Sequence, residues 1–357
     1  MPEPDSKKRL PVSDNPCGRF CLRPMAASTA LAPLWILIAS YSQARTPVDE
    51  CILQKVQTGD AAMTIGEIRQ ACQQNQPTET DRKSVDASES LPGPSAVEQR
   101  FASESEVEKR PFAITPHKPN YVLLTYSESP NQDIYDGTTG ASRSLDNTEV
   151  KFQVSIKAPL WRNILGSNID AYFAYTAQSW WQMFNNGLSS PFRETKYEPE
   201  IFLRNFTNYN LFGIKLAGWS LGVNHQSNGR SEPLSRSWNR LLARFGLEVD
   251  EDLTFLVRAW YRIEEDEEDD DNPNMHHFYG YGDIRAIWTP NRNTYTLMLR
   301  PGTEHFSYEL TWSYPIGENF RVYAQYYDGV GESLIDYDYE NKVFGIGFSL
   351  NDYLMHK

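Results

Sequence analysis

From Asn120 onward, apolar and polar side chains alternate with a period of two through one segment after another. That is the pattern of strands that turn one face to an apolar phase and the other to a polar one. In the segment from Arg236, Leu241, Ala243, Phe245, Leu247 and Val249 share one parity, and Arg240, Arg244 and Glu248 share the other. From Leu253, Phe255, Val257 and Ala259 oppose Arg258 and Arg262; from Asn319, Phe320, Val322, Ala324 and Tyr326 oppose Arg321, Tyr323 and Gln325. About twelve such segments follow one another, with no helical spacing of useful length between them. They begin near Asn120, Thr148, Asn168, Tyr197, Lys215, Arg236, Leu253, Tyr279, Thr294, Ser307, Asn319 and Val343.

The connections alternate too. Asp250-Glu251-Asp252, Pro290-Asn291-Arg292-Asn293 and Pro315-Ile316-Gly317-Glu318 are tight turns after the sixth, eighth and tenth segments. The connections after the third, fifth, seventh and eleventh are mostly longer and more polar. Short turns on one rim and long loops on the other are the asymmetry of an outer-membrane barrel, with the short side periplasmic. A soluble sandwich would also alternate, but Arg240, Arg244, Arg258, Arg262 and Arg321 recur on the polar parity, which suits a polar lumen better than a solvated sheet. The expected fold is all-β: a twelve-stranded antiparallel transmembrane β-barrel over residues 120–357, with a short N-terminal periplasmic segment.

The first part of the chain reads differently. Lys7, Lys8, Arg9, Arg19 and Arg23 precede an apolar stretch beginning at Met25, and Ser42-Gln43-Ala44 offers a cleavage site after Ala44. Residues 1–44 are therefore expected to be an export signal, with Met25 as a second possible start. In the segment 45–73, Cys51 and Cys72 flank Met63, Ile65 and Ile68 at helical spacing; in an oxidising compartment they pair or stand as two buried thiols. Residues 74–119 are rich in Ser, Glu, Gln and Pro, the composition of a flexible linker. A net charge of -13 makes nucleic acid an unsuitable partner. Mean hydropathy is -0.57, and past the export segment no apolar run is long enough for a spanning helix, which excludes helical spans but not a barrel. An aromatic share of 13%, with 20 Tyr and 9 Trp, suits interfacial girdles.

Chemistry concentrates after the fifth segment, in Asn224-His225-Gln226-Ser227-Asn228-Gly229-Arg230. His225 and Ser227 share a strand face with Trp219, Leu221 and Val223 and end the strand on the long-loop rim. Asn239, on the next strand, has the outward parity of Leu241, so all three point to the outer wall. A serine needs a base to become nucleophilic, and the base needs an orienting acceptor. Asn is a weaker orienter than Asp, because its carbonyl accepts the imidazole N–H but does not neutralise an imidazolium. On spacing alone, a chance His-x-Ser pair is the better reading. Gly218-Trp219-Ser220-Leu221-Gly222 matches a nucleophile-elbow pattern, but the strand runs on through it and no helix follows. The acidic run from Glu264 to Asp271 reads as a solvated loop, with Ca²⁺ binding as the alternative.

The run from Asn224 to Pro233, with Ser235-Arg236-Ser237-Trp238-Asn239-Arg240, closely resembles the signature of the outer membrane phospholipase A family. So do Ser189-Ser190-Pro191-Phe192-Arg193-Glu194-Thr195, Tyr197-Glu198-Pro199 and Gly331-Glu332-Ser333-Leu334-Ile335-Asp336-Tyr337. The resemblance implies a calcium-dependent phospholipase of the bacterial outer membrane, acting on sn-1 and sn-2 acyl esters of phospholipids and lysophospholipids. It implies Ser227 as nucleophile, His225 as base and Asn239 as orienter. Ca²⁺ would be held by the Arg230 main chain and Ser235, with Ser189 from a second subunit of a homodimer that meets through flat apolar barrel faces. Glu232 departs from the family, which often has Asp there beside a secondary calcium position. The competing function is a catalytically silent structural or pore-forming barrel. A pore needs an uncluttered lumen, and the inward Arg, Tyr and Trp argue against one.

Overall fold

The computed structural model describes residues 94–136, 144–186, 192–266, 268 and 270–354. Twelve strands form a closed antiparallel barrel: β1 (Tyr121–Ser127), β2 (Thr148–Trp161), β3 (Ile169–Trp181), β4 (Phe192–Leu211), β5 (Ile214–Ser227), β6 (Ser237–Glu248), β7 (Leu253–Ile263), β8 (Gly282–Trp288), β9 (Thr294–Pro301), β10 (Phe306–Ile316), β11 (Phe320–Val330) and β12 (Glu340–Ser349). Each pairs with its sequence neighbours, and β12 closes on β1 with Ser349 opposite Tyr121 and Val343 opposite Ser127. A two-residue extension, Thr115–Pro116, runs on beside β2 below the end of β1. Closure removes every unpaired strand edge, as a spanning sheet requires.

The expected parity holds. Leu221, Val223, Leu241 and Phe245 are exposed on the outer wall, and Ser220, Asn224, Gln226 and Arg240 are buried inside. Three strand starts differ from the alternation pattern; β12 begins at Glu340 rather than near Val343. β4 begins at Phe192 rather than near Tyr197, because the charged Arg193 and Glu194 hide a strand that pairs with Trp180 and Trp181. β8 begins at Gly282, because a short helix α2 (Met275–Tyr279) fills the preceding turn. It stops at Gly280, whose φ of 63° and whose 1.9 Å gap between a built Cβ and the Pro301 carbonyl oxygen leave no room for a side chain.

Charges fill the lumen in pairs. Arg244 makes two bonds to Glu200 at 2.5 Å. Arg258 Nε donates to Asp283 at 2.8 Å. Lys118 Nζ donates to Glu198 at 2.7 Å. A buried charge is tolerable only when paired in this way. At the long-loop rim, the connection after β11 folds back inward. Glu332 accepts from Lys151 Nζ at 2.7 Å and from Trp180 Nε1 at 2.8 Å, and the Ile335 N–H donates to Glu194 at 2.8 Å. Two of the segments that carry the family resemblance, around Arg193 and around Glu332, thus meet and stopper the barrel.

The stretch 74–119, expected to be a flexible linker, is not one over its described part. Helix α1 (Ala96–Glu108) opens with a capping box between Ser95 and Glu98. Its Ala96 and Val97 pack against Ala217, Ile287 and Leu354. The helix closes the short-turn end of the barrel. It lacked an apolar period because much of its inward face is charged: Glu104 bonds Lys157 Nζ at 2.7 Å and Arg204 Nη1 at 2.9 Å, and Glu108 accepts from the Tyr172 hydroxyl at 2.9 Å. The signal 1–44, the segment 45–73 with Cys51 and Cys72, and the stretch 74–93 lie outside the described residues.

Burial opposes ionisation of Glu104, but Arg100, Lys157 and Arg204 outweigh it and hold the carboxyl well below the usual carboxylate range. A depressed folded value stabilises fully above the ordinary carboxylate range, and the contribution is lost progressively as the pH falls from that range through the depressed value. Glu104→Gln leaves Arg100, Lys157 and Arg204 short of a partner and is expected to weaken docking of α1 by about 3–5 kcal/mol. Amide hydrogen exchange over residues 96–108 reads this directly; unchanged protection would remove Glu104 from that role.

Candidate active site

β5 and β6 pair so that His225 lies directly opposite Asn239, and Ser227 opposite Ser237. The imidazole Nδ1 stands 2.9 Å from Asn239 Oδ1. His225, Ser227 and Asn239 are half-buried on the outer wall. Below them the same face continues as Val223, Leu221 and Leu241, exposed and apolar. On β4, Tyr197 sits across from Ser227. Among the described residues no hydrogen bond holds the Ser227 hydroxyl, and with Nδ1 engaged by Asn239 the nitrogen left for it is Nε2. Catalytic contacts of this kind tighten when substrate arrives.

The wall behind the site is packed. Trp238 is buried, donates from Nε1 to Gln226 at 2.7 Å, and meets the rings of Trp260 and Tyr279 edge-on. Arg240 lies over Trp238 and donates from Nε to Asn224 at 2.7 Å. Inward residues of the same two strands therefore hold the outward ones in place.

The loop between β5 and β6 turns around the buried Asn228. Its Oδ1 accepts from the N–H groups of Arg230 at 3.2 Å and Arg236 at 3.0 Å, and its Nδ2 donates to the Leu234 carbonyl at 2.8 Å. The Arg230 guanidinium donates to the Phe192 carbonyl at 3.1 Å, tying the loop to the start of β4. The Ser235 hydroxyl donates to Asp271 at 2.6 Å. Ser189, the third expected calcium ligand, lies outside the described residues.

The donors are hard oxygens: a hydroxyl, a main-chain carbonyl and a nearby carboxylate, the chemistry calcium prefers. A hydrogen bond to Asp271 raises the Glu232 carboxyl above its ordinary value, so two carboxylates face each other beside Ser235. Two facing carboxylates beside a hydroxyl are a place where a divalent cation is welcome. The residues present therefore fit a calcium ion. Among the described residues no three His, Cys, Asp or Glu side chains converge as a metal cage.

The acidic run is more than a solvated loop. Glu265 accepts from Asn239 Nδ2 at 2.7 Å, Asp270 from Arg262 at 2.5 Å, and Asp271 from Ser235. Sequence reasoning missed Glu265 and Asp271, since a run of acids does not say which of its members turn inward. The elbow-like Gly218-Trp219-Ser220-Leu221-Gly222 lies within an unbroken strand, with Ser220 facing the lumen. Its glycines answer a steric need: a built Cβ at Gly222 stands 2.4 Å from the Ile201 carbonyl oxygen.

A closed barrel with an apolar outer wall, a filled lumen and a His–Asn pair on the lipid side defines an integral outer-membrane enzyme. The Phospholipase A1 family model matches residues 97–350. The phospholipases A1 of Proteus vulgaris and Escherichia coli K12 are each 40% identical to the chain, over 244 and 247 residues, covering 68% of it and 83% of each relative. The outer membrane phospholipase A of E. coli superposes with a TM-score of 0.64 at 38% identity, covering 68% of this chain and all of that one. The calcium-bound dimer of the Salmonella typhi outer membrane phospholipase gives a TM-score of 0.66 at 38% identity, covering 70% of this chain and 96% of that one. The chain belongs to the phospholipase A1 family, and it is an enzyme of the outer membrane.

Asn228→Ala removes three loop hydrogen bonds and is expected to cost about 1–3 kcal/mol of local order. Ser235 and the Arg230 main chain would then be held loosely. Amide protection over residues 228–236 should fall while the barrel stays folded. Protection unchanged from wild type would count against Asn228 as the organiser of the loop.

Proposed function

We propose that the chain hydrolyses sn-1 and sn-2 acyl esters of phospholipids and lysophospholipids with a Ser227–His225–Asn239 triad, as a calcium-dependent dimer. The observation that carries the reading is the 2.9 Å contact between His225 and Asn239 on the apolar outer wall. A lipid ester arriving from the bilayer meets that wall without first leaving the membrane. A third solved relative, the E. coli enzyme with an asparagine-to-alanine change described as an active-site mutant, is 37% identical with a TM-score of 0.65. It supports a working role for an asparagine.

Asn239 accepts the Nδ1–H of His225, which leaves the Nε2 lone pair as base. His225 takes the Ser227 proton as Oγ attacks the ester carbonyl. It then returns that proton to the departing glycerol oxygen, leaving an acyl group on Ser227. Water, deprotonated by the same imidazole, releases the fatty acid and restores Ser227. When bound at the Arg230 carbonyl and the Ser235 hydroxyl, with Ser189 of a second subunit, calcium supplies positive charge for the developing oxyanion. A subunit that lends a ligand makes association a switch for activity. In this reading residues 1–44 are removed on export, 45–73 form a small periplasmic segment, and the described barrel with α1 is the catalytic body. The ion pairs that fill the lumen weigh against a passive pore.

Ser227→Ala is expected to lower hydrolysis of a phospholipid in detergent micelles by at least about 10⁴-fold, with the barrel intact. Appreciable residual esterase activity would remove Ser227 from its role. Ser235→Ala should move the calcium midpoint upward, and chelator should silence the wild type. Sedimentation in detergent should show dimer with calcium and substrate analogue and monomer with chelator; activity from a strictly monomeric species would overturn the shared site.

A further inference from the structure

We propose that Glu265 is a positioning residue of the hydrolytic relay, acting on His225 through Asn239. The inference rests on the triad reading above and extends it from three residues to four.

Asn239 has two hydrogen-bonding ends, and only one is useful. Its oxygen must face the imidazole, so that Nδ1 carries the proton and Nε2 stays basic. Were the amide turned over, its NH₂ would face Nδ1, the proton would move to Nε2, and the base would be lost. An aspartate in this place has no such ambiguity. Here Asn239 Nδ2 donates to Glu265 Oε1 at 2.7 Å while Oδ1 faces His225 Nδ1 at 2.9 Å. An ionised carboxylate only accepts, so it fixes which end of the amide turns toward it.

The second effect is electrostatic. A neutral asparagine offers no charge to offset the imidazolium that forms as Ser227 is deprotonated. Glu265 places a full negative charge directly behind the amide and polarises its carbonyl toward the ring. The barrel delivers that charge by register. Ile263, the last residue of β7, pairs with Asn239, and Glu265 follows two residues later. Glu265 is half-buried, whereas Glu264 and Asp266 on either side are exposed. Three other charged groups nearby are engaged elsewhere: Arg262 holds Asp270, Asp271 accepts from Ser235, and Arg240 is turned into the lumen beside Glu198. Among the described residues, Tyr197, opposite Ser227 on β4, and Tyr261, opposite Leu241 on β7, are further titratable groups on this outer face.

The test uses the full chain refolded in detergent at saturating calcium. Glu265→Gln and Glu265→Ala are expected to lower kcat by about tenfold with KM unchanged, the scale of one charge-assisted hydrogen bond. Glu265→Asp should recover part of the loss. Because the imidazolium loses a stabilising charge, the acid limb of the kcat/KM profile should move to lower pH. In an Asn239→Ala background, Glu265→Gln should cost nothing more, since its influence passes through the amide. Wild-type kcat with an unmoved acid limb in both variants would overturn the proposal. So would a loss that appears only as a raised calcium midpoint, which would make Glu265 part of the metal loop. Ser227→Ala measured alongside separates the two readings: an active Ser227→Ala protein sinks the triad itself, whereas an inactive one beside an indifferent Glu265→Gln sinks only the four-residue relay.

Discussion

Every part of this barrel depends on pairing charges inside it. The outer wall is given over to apolar side chains that lipid can wet, so the polar parity of each strand has nowhere to go but inward. Arg244 with Glu200, Arg258 with Asp283, Lys118 with Glu198 and Lys151 with Glu332 are the consequence. Removing one member would strand a buried charge, a costlier event than losing an exposed ion pair. Arg258–Asp283 bridges neighbouring strands, Arg244–Glu200 skips one strand, and Lys118–Glu198 and Lys151–Glu332 join parts of the chain far apart in sequence, so the pairs tie the cylinder across its lumen as well as along its seams. The same logic closes both ends: Glu332 from the β11–β12 loop at one rim, and Glu104 from α1 at the other, each bring carboxylate to lumen cations.

That inverted interior is what lets the chemistry sit outside. A soluble hydrolase shelters its nucleophile in a cleft of its own. Here β5 and β6 are held from behind by Trp238, Arg240 and Asn224, so outward residues of the same strands stand rigid on an open wall. His225 and Asn239 meet because they are register partners, and a slip of either strand by one residue would turn its member of the pair into the lumen. The loop after β5 then brings Ser235 and the Arg230 main chain beside the strand end, with Asn228 as its hub.

The acidic loop after β7 shows how such a wall is tuned. A strand can present only alternate residues to one face, so β5 and β6 alone supply no carboxylate beside Asn239. The loop does, and from the same stretch of chain Glu265 accepts from Asn239 and Asp271 accepts from Ser235. A site on a barrel wall is thus completed from its rim, by groups whose direction the strand alternation does not dictate.

The amino-acid sequence by itself determined the strand count, the inward and outward parity, the rim on which Ser227 ends its strand and the family to which its motifs belong. These follow from period-two alternation and from a long local signature, both of which are written in neighbouring residues. Tertiary structure decided what depends on partners far along the chain. Residues 96–108 look like linker in sequence because the helix turns charge inward, and only the lumen's Lys157 and Arg204 make that a buried face. The early start of β4 was hidden for the same reason, since Arg193 and Glu194 are strand residues whose partners, Glu149, Asp336 and the Ile335 N–H, lie elsewhere in the chain. Glu265 was one acid among many until the β6–β7 register set it behind Asn239. Alternation reports how a residue faces its solvent, whereas a buried charge is defined by its counter-charge, and only the closed barrel brings the two together.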